Sequence, residues 1–99
     1  MFLFVIVAKP KPCNDEFSKF EGAHVKAYIN FKDEPGAELL AKHYIDDVGW
    51  DFEKVNKVSW LTEKEAKKKE DVYKSFVLAK ESGRSLVFHV WSQGRELKD

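Results

Sequence analysis

The sequence predicts an α+β protein, a two-layer α/β sandwich built on a four-stranded mixed sheet, and three observations lead to this class. Residues 2–8 are apolar at odd and even positions alike, which is typical of a strand that is covered on both faces. Residues 23–31 alternate between apolar and polar, as a strand with one buried face does. Residues 37–48 place apolar side chains at helical spacing, so strands and helices alternate along the chain.

Local signals mark the first helix and the strand that follows it. Asp33 precedes the helical pattern as its N-cap, and Gly49 follows it in the position where a left-handed residue ends a helix. Residues 51–61 then form a third strand, but their alternation is imperfect. A β-bulge or a late strand start near Lys54 would restore a continuous apolar face.

A second helix and a last strand complete the pattern. Thr62 and Glu65 have the spacing of a capping box, and Gly83 ends the helix that they begin. We expect a break near residues 68–70, because the first two turns carry almost no apolar anchor. Residues 86–91 are apolar at nearly every position and predict the fourth strand.

The elements follow the order β-β-α-β-α-β in a single domain, residues 1–99, with residues 92–99 as a polar tail that frays. One helix between successive strands predicts right-handed crossovers, so the last three strands should run parallel to one another. Two crossovers that progress in one direction place both helices on one face of the sheet. The result is related to the ferredoxin-like fold, whose strand order it does not match without an additional strand.

Composition argues against several classes of function. Seventeen basic side chains balance seventeen acidic ones, and only two of the basic residues are Arg, so nucleic acid is an unlikely partner on charge alone. The single cysteine, Cys13, forms no internal disulfide. The apolar N-terminal stretch is too short to span a bilayer and lacks the features of a signal peptide, which predicts a cytoplasmic protein with no membrane association.

A sheet with both helices on one face leaves the other face exposed, and this face would be strongly apolar. Such a patch exceeds what monomers usually leave in water, so something should cover it. We consider three covers: a second copy of the chain, the loop of residues 9–22, and helices on opposite faces. The residues expected to bind a ligand or partner are those on this face and in this loop, namely His24, Tyr28, His89, Trp91, Phe17 and Phe20.

The sequence contains no phosphate-binding glycine loop, no metal-ligand spacing and no recognisable nucleophile motif, so it predicts neither a cofactor nor a metal. Asp46 and Asp47 lie at the end of the first helix, where negative charge opposes the helix dipole. Residues that break a local rule sometimes mark function, so these two carboxylates are candidate docking points for a basic partner.

These observations predict a non-catalytic protein-interaction or binding module that self-associates through its open sheet face, as a homodimer or small homo-oligomer, or binds another protein there. One alternative is a small enzyme with a pocket between this face and loop 9–22, in which His24, His89 and Tyr28 supply the polar groups. Another is single-stranded nucleic-acid binding through aromatic residues of the sheet. The sequence names no ligand and no reaction.

Overall fold

A computed structural model describes residues 1–14, 17 and 19–92, so most of the predicted tail, residues 93–99, lies outside the described residues. The α+β class is confirmed. The elements are β1 (Phe2–Pro10), β2 (Phe20–Ile29), α1 (Glu34–Asp47), β3 (Trp50–Trp60), α2 (Glu63–Ala66), α3 (Glu70–Ser82) and β4 (Arg84–Ser92).

The four strands form one sheet in the order β3-β1-β2-β4, and every neighbouring pair is antiparallel. The prediction of a mixed sheet with three parallel strands is therefore wrong. β2 and β3 do point the same way, as one helical crossover requires, but β1 lies between them. β4 runs opposite to β3, because the connection through α2 and α3 leaves the sheet at Trp60 and re-enters it at Arg84, at the same end of the sheet.

The prediction that both helices lie on one face is also wrong. The side chains of Phe4, Ile6 and Val25 form one cluster with α1. Those of Leu3 and Tyr28, which have the opposite parity on the same strands, form a second cluster with α2 and α3. The handedness rule applies to the connection from β2 through α1 to β3, because these two strands are parallel. It does not set the face of α2 and α3, because β4 runs antiparallel to β3.

β3 contains two irregularities, as its imperfect alternation predicted. The pairing with β1 shifts between Val5 and Ile6 and again between Val7 and Ala8, which leaves Asn56 and Glu53 as the extra residues of β3. The shifts keep the apolar residues of this strand on the α1 side. Five β3 residues pack there, namely Trp50, Phe52, Val55, Val58 and Trp60.

The predicted helix ends are confirmed. The Asp33 carboxylate accepts a hydrogen bond of 2.8 Å from the Gly36 N–H, and Thr62 and Glu65 form the reciprocal capping box. The predicted break in the second helix separates α2 from α3 at residues 67–69. Gly83 ends α3 with φ 97°, a left-handed conformation that glycine adopts without strain.

Candidate binding surface on the open half of the sheet

The face of the sheet opposite α1 is only half covered. The short α2 and the longer α3 pack over the end of the sheet that contains Leu3, Tyr28 and Val87. Val5 and Val7, further along β1 on the same face, join neither cluster and are partly exposed. We call the uncovered region the open half-face; its residues are Val5, Val7, His24, Lys26, Lys54, Lys57, His89 and Trp91.

The strand register places cationic side chains on both sides of the two valines. Val5 lies opposite Lys26 on β2 and opposite Lys57 on β3. Val7 lies opposite His24 and Lys54 on the same two strands. A short apolar strip on β1 is therefore bordered by positive and titratable groups.

Trp91 forms one corner of the open half-face. It lies opposite Gly22, and a Cβ added to this glycine would approach the indole ring to 2.6 Å. The absence of a side chain at Gly22 lets the indole lie against the backbone of β2. The rings of Trp91 and His24 are 4.9 Å apart between centroids, and His24 lies opposite His89. An aromatic corner thus adjoins the cationic border.

The three lysines of the open half-face form no salt bridge with any described residue. Lys9, at the edge of this region, lies 3.9 Å from the Glu53 carboxylate. Within residues 1–14, 17 and 19–92, by contrast, no carboxylate forms a salt bridge with Lys26, Lys54 or Lys57. Among the described residues, the open half-face therefore carries a local excess of basic side chains, although the whole chain is neutral.

The structure separates the three groups that an active site was expected to combine. Tyr28 is only 2% exposed, and burial raises the pKa of its phenol while a hydrogen bond with the Ser75 side chain lowers it. His24 and His89 are exposed on the open half-face. Tyr28 lies four residues along β2 from His24, a distance of about 13 Å in an extended strand. The three side chains thus do not share a cavity.

The loop that precedes β2 is anchored beside α1 rather than over the open half-face. The Lys11 N–H donates a hydrogen bond of 3.0 Å to the Gly49 carbonyl, and the Asn14 side chain donates one of 2.8 Å to the same oxygen. Phe20 packs on the cluster under α1, whereas Phe17 is exposed. The described part of this loop therefore does not form a lid over the open half-face, which was one of the three covers predicted from the sequence.

The two carboxylates at the end of α1 have different surroundings. Asp46 forms a hydrogen-bonded ion pair with Lys11, which lowers the pKa of the Asp46 carboxyl and raises the pKa of the lysine. The pair links the loop to α1, and the Lys11 ammonium offsets the negative charge of Asp46 at this helix end. Asp47 is exposed, and its role as a docking point stays a prediction.

Sequence reasoning missed the lysines of the open half-face. Lys54 and Lys57 differ in parity, so simple alternation assigns them to opposite faces. The extra residue at Asn56 brings both to the same face. The same break in alternation that predicted a bulge was therefore also the signal for this cluster.

Other kinds of site find little support among residues 1–14, 17 and 19–92. No group of three His, Cys, Asp or Glu side chains within these ranges could hold a metal ion. A groove of about 400 Å³ lies on α3, lined by Tyr73, Lys74, Val77 and Leu78. None of the helices in the described part of the chain has the length and apolar character needed to cross a membrane.

No protein-family model, curated protein or solved structure matches the chain. The relation to the ferredoxin-like fold therefore stays a prediction, and any function rests on the geometry of the surface itself.

Proposed function

We propose that this protein is a non-catalytic interaction module whose open half-face binds an acidic protein surface. The observation that carries the proposal is the placement of Val5 and Val7 between the unpaired lysines Lys26, Lys54 and Lys57. An apolar centre with a polar rim is the usual anatomy of a protein–protein interface. Its positive border favours a partner with carboxylates around a few exposed apolar side chains.

The same arrangement argues against self-association through this face. Two copies that meet sheet to sheet would bring their unpaired lysines together, and juxtaposed like charges destabilise an interface. A C2 contact has the same patch on both subunits, so among the described residues each copy would present more lysines than carboxylates, with Asp51 opposite Lys9 at the edge of the patch. The open half-face thus suits a different protein as its partner better than the second copy of the chain that was predicted from the sequence.

Nucleic-acid binding and catalysis have weaker support. Surfaces that bind single strands place aromatic rings along the path of the bases, whereas here the one indole lies at a corner and two valines occupy the centre. Catalysis would require polar groups that converge on a reacting atom. Tyr28 is buried under α3 instead of joining the two histidines.

Three probes distinguish these partners in NMR titrations of the isotope-labelled protein. They are a ten-residue peptide that alternates glutamate with valine, the same peptide with serine in place of valine, and a ten-nucleotide oligothymidine. We expect the valine peptide to bind most tightly and to shift the amide signals of Val5, Val7 and Lys26. We expect weaker binding of the serine peptide, because it cannot bury apolar surface on the two valines.

A matched pair of charge reversals tests the site. Lys54→Glu/Lys57→Glu should weaken binding of the valine peptide by about tenfold or more. Lys68→Glu/Lys69→Glu makes the same change in charge at two other exposed lysines without salt bridges, and it should leave the affinity almost unchanged. Equal losses in both variants, or no binding of either peptide, would reject the proposal. Tighter binding of oligothymidine at the same residues would replace it with a nucleic-acid function.

A further inference from the structure

The two edge strands of the sheet differ in how they are protected against pairing with other strands. β3 and β4 form the edges, and an edge strand presents a row of backbone N–H and C=O groups without strand partners. Natural proteins protect such edges with bulges, charged residues and prolines. β3 has two register shifts and four charged side chains, namely Asp51, Glu53, Lys54 and Lys57.

Between residues 85 and 91, β4 has none of these devices. Residues 85–91 contain no charged side chain, no proline and no glycine, and their pairing with β2 is continuous from Arg84 to Trp91. Leu86 and Phe88 pack into the cluster under α1, while Val87 packs against the cluster under α3. The strand thus packs on both faces, and within the described ranges only β2 pairs with it.

We infer that the free edge of β4 pairs with β4 of a second copy, antiparallel, to form a continuous eight-stranded sheet. The register that overlaps all nine residues of Arg84–Ser92 centres the two-fold axis on Phe88. It places Leu86 opposite Val90 of the second copy on the α1 side, where each side chain meets an apolar neighbour. On the other side, Val87 lies opposite His89 of the second copy.

The charges of the strand agree with this occupant. Arg84 lies opposite position 92 of the second copy, and no two like charges face each other along the shared edge. Assembly should stop at two subunits, because the bulges and charges of β3 prevent further pairing at the outer edges. The axis is perpendicular to the sheet, so both open half-faces lie on the same side of the dimer.

The inference goes beyond the proposed function and does not depend on it. It is tested by sedimentation velocity over a roughly hundredfold range of concentration, with reductant present so that Cys13 cannot cross-link. We expect a monomer–dimer equilibrium. His89→Lys, which adds a charge at an exposed position of β4, should weaken it by about tenfold or more, whereas His43→Lys on the exposed surface of α1 should not.

Amide hydrogen exchange gives a second measurement that requires no variant. Dilution should raise the exchange rates of alternate amides in β4, which lose their partners when the dimer dissociates, and leave those of β3 unchanged. A monomer at every concentration would overturn the inference. A dimer that tolerates His89→Lys and leaves the protection of β4 independent of concentration would also overturn it. So would oligomers of more than two subunits, or a β4 edge that pairs with an added peptide but not with a second copy.

Discussion

On the face under α1, β1 buries Phe4, Ile6 and Ala8 completely, whereas on the opposite face its Val5 and Val7 stay partly exposed. The same strand thus contributes to a closed core and to an open surface. The difference lies in the cover, because α1 and its flanking segments close one face while α2 and α3 reach only half of the other. The closed face should therefore supply most of the stability, and the open one should be free to bind.

The largest expected effect comes from matched phenylalanine substitutions on the two faces. Phe4→Ala removes a fully buried ring from the larger cluster and should lower the free energy of unfolding by about 4–5 kcal/mol. Phe76→Ala, on α3, should cost about 3 kcal/mol, because its smaller cluster borders the open half-face and can relax into the cavity. Urea denaturation measures both; equal losses would contradict the ranking.

A second matched pair compares buried and partly exposed valines. Val25→Ala, in the cluster under α1, should cost about 2–3 kcal/mol, since it deletes two methyl groups from a site with no exposure. Val7→Ala deletes the same atoms on the open half-face and should cost less than about 1 kcal/mol. Thermal or chemical denaturation compares the two. Val7→Ala should reduce the binding free energy of the glutamate–valine peptide by more than it reduces the free energy of unfolding.

The pH dependence of the free energy of unfolding tests the packing around Tyr28, which lies in the part of the second face that α2 and α3 cover. Burial raises the pKa of its phenol, so the folded state holds the proton more tightly than the unfolded state does. The stabilisation is fully present below the ordinary pKa near 10.0 and is lost as pH rises through the raised value. Tyr28→Phe should cost about 1 kcal/mol at neutral pH. The stability of this variant should fall less steeply at alkaline pH than that of the parent protein.

The smallest effect concerns the loop that is anchored to α1. The ion pair with Lys11 lowers the pKa of Asp46, so its contribution is present above the ordinary carboxyl value and is lost as pH falls through the lowered one. Lys11→Met should return the Asp46 pKa towards 3.8, as followed by NMR of the side-chain carboxyl. Because the pair is exposed, we expect little change in the unfolding midpoint. An unchanged Asp46 pKa would show that the ion pair between Lys11 and Asp46 is absent in solution.

Several features could be predicted from the sequence because their causes are local. The apolar residues at both parities of 2–8 indicated an inner strand, and β1 does lie between β3 and β2. The expected cover on both faces is complete only on the α1 side, because Val5 and Val7 are partly exposed. The caps at Asp33 and Thr62 depend on residues three positions away, and both form. Even the irregularities of β3 were visible in its pattern.

The faces of the sheet on which the helices lie could not be predicted from local sequence patterns. They depend on the lateral order of strands far apart in the chain, and nothing within residues 50–60 indicates that this strand pairs with β1 instead of β2. Of the candidate surface, His24, His89 and Trp91 were predicted, but its lysines were missed for the same reason. Lys26, Lys54 and Lys57 become neighbours of the two valines only once β1 lies between β2 and β3.

The inner position of β1 also has a consequence for synthesis of the chain. Residues 2–8 carry no charge and are synthesised before both strands that pair with them, yet their second partner, Trp50–Trp60, follows only after β2 and α1 have been made. During that interval one edge of β1 has no strand partner and no charged side chain, which favours pairing with other incompletely folded chains. We expect chaperone shielding to raise the yield of native protein, and dilution to do the same during refolding from denaturant.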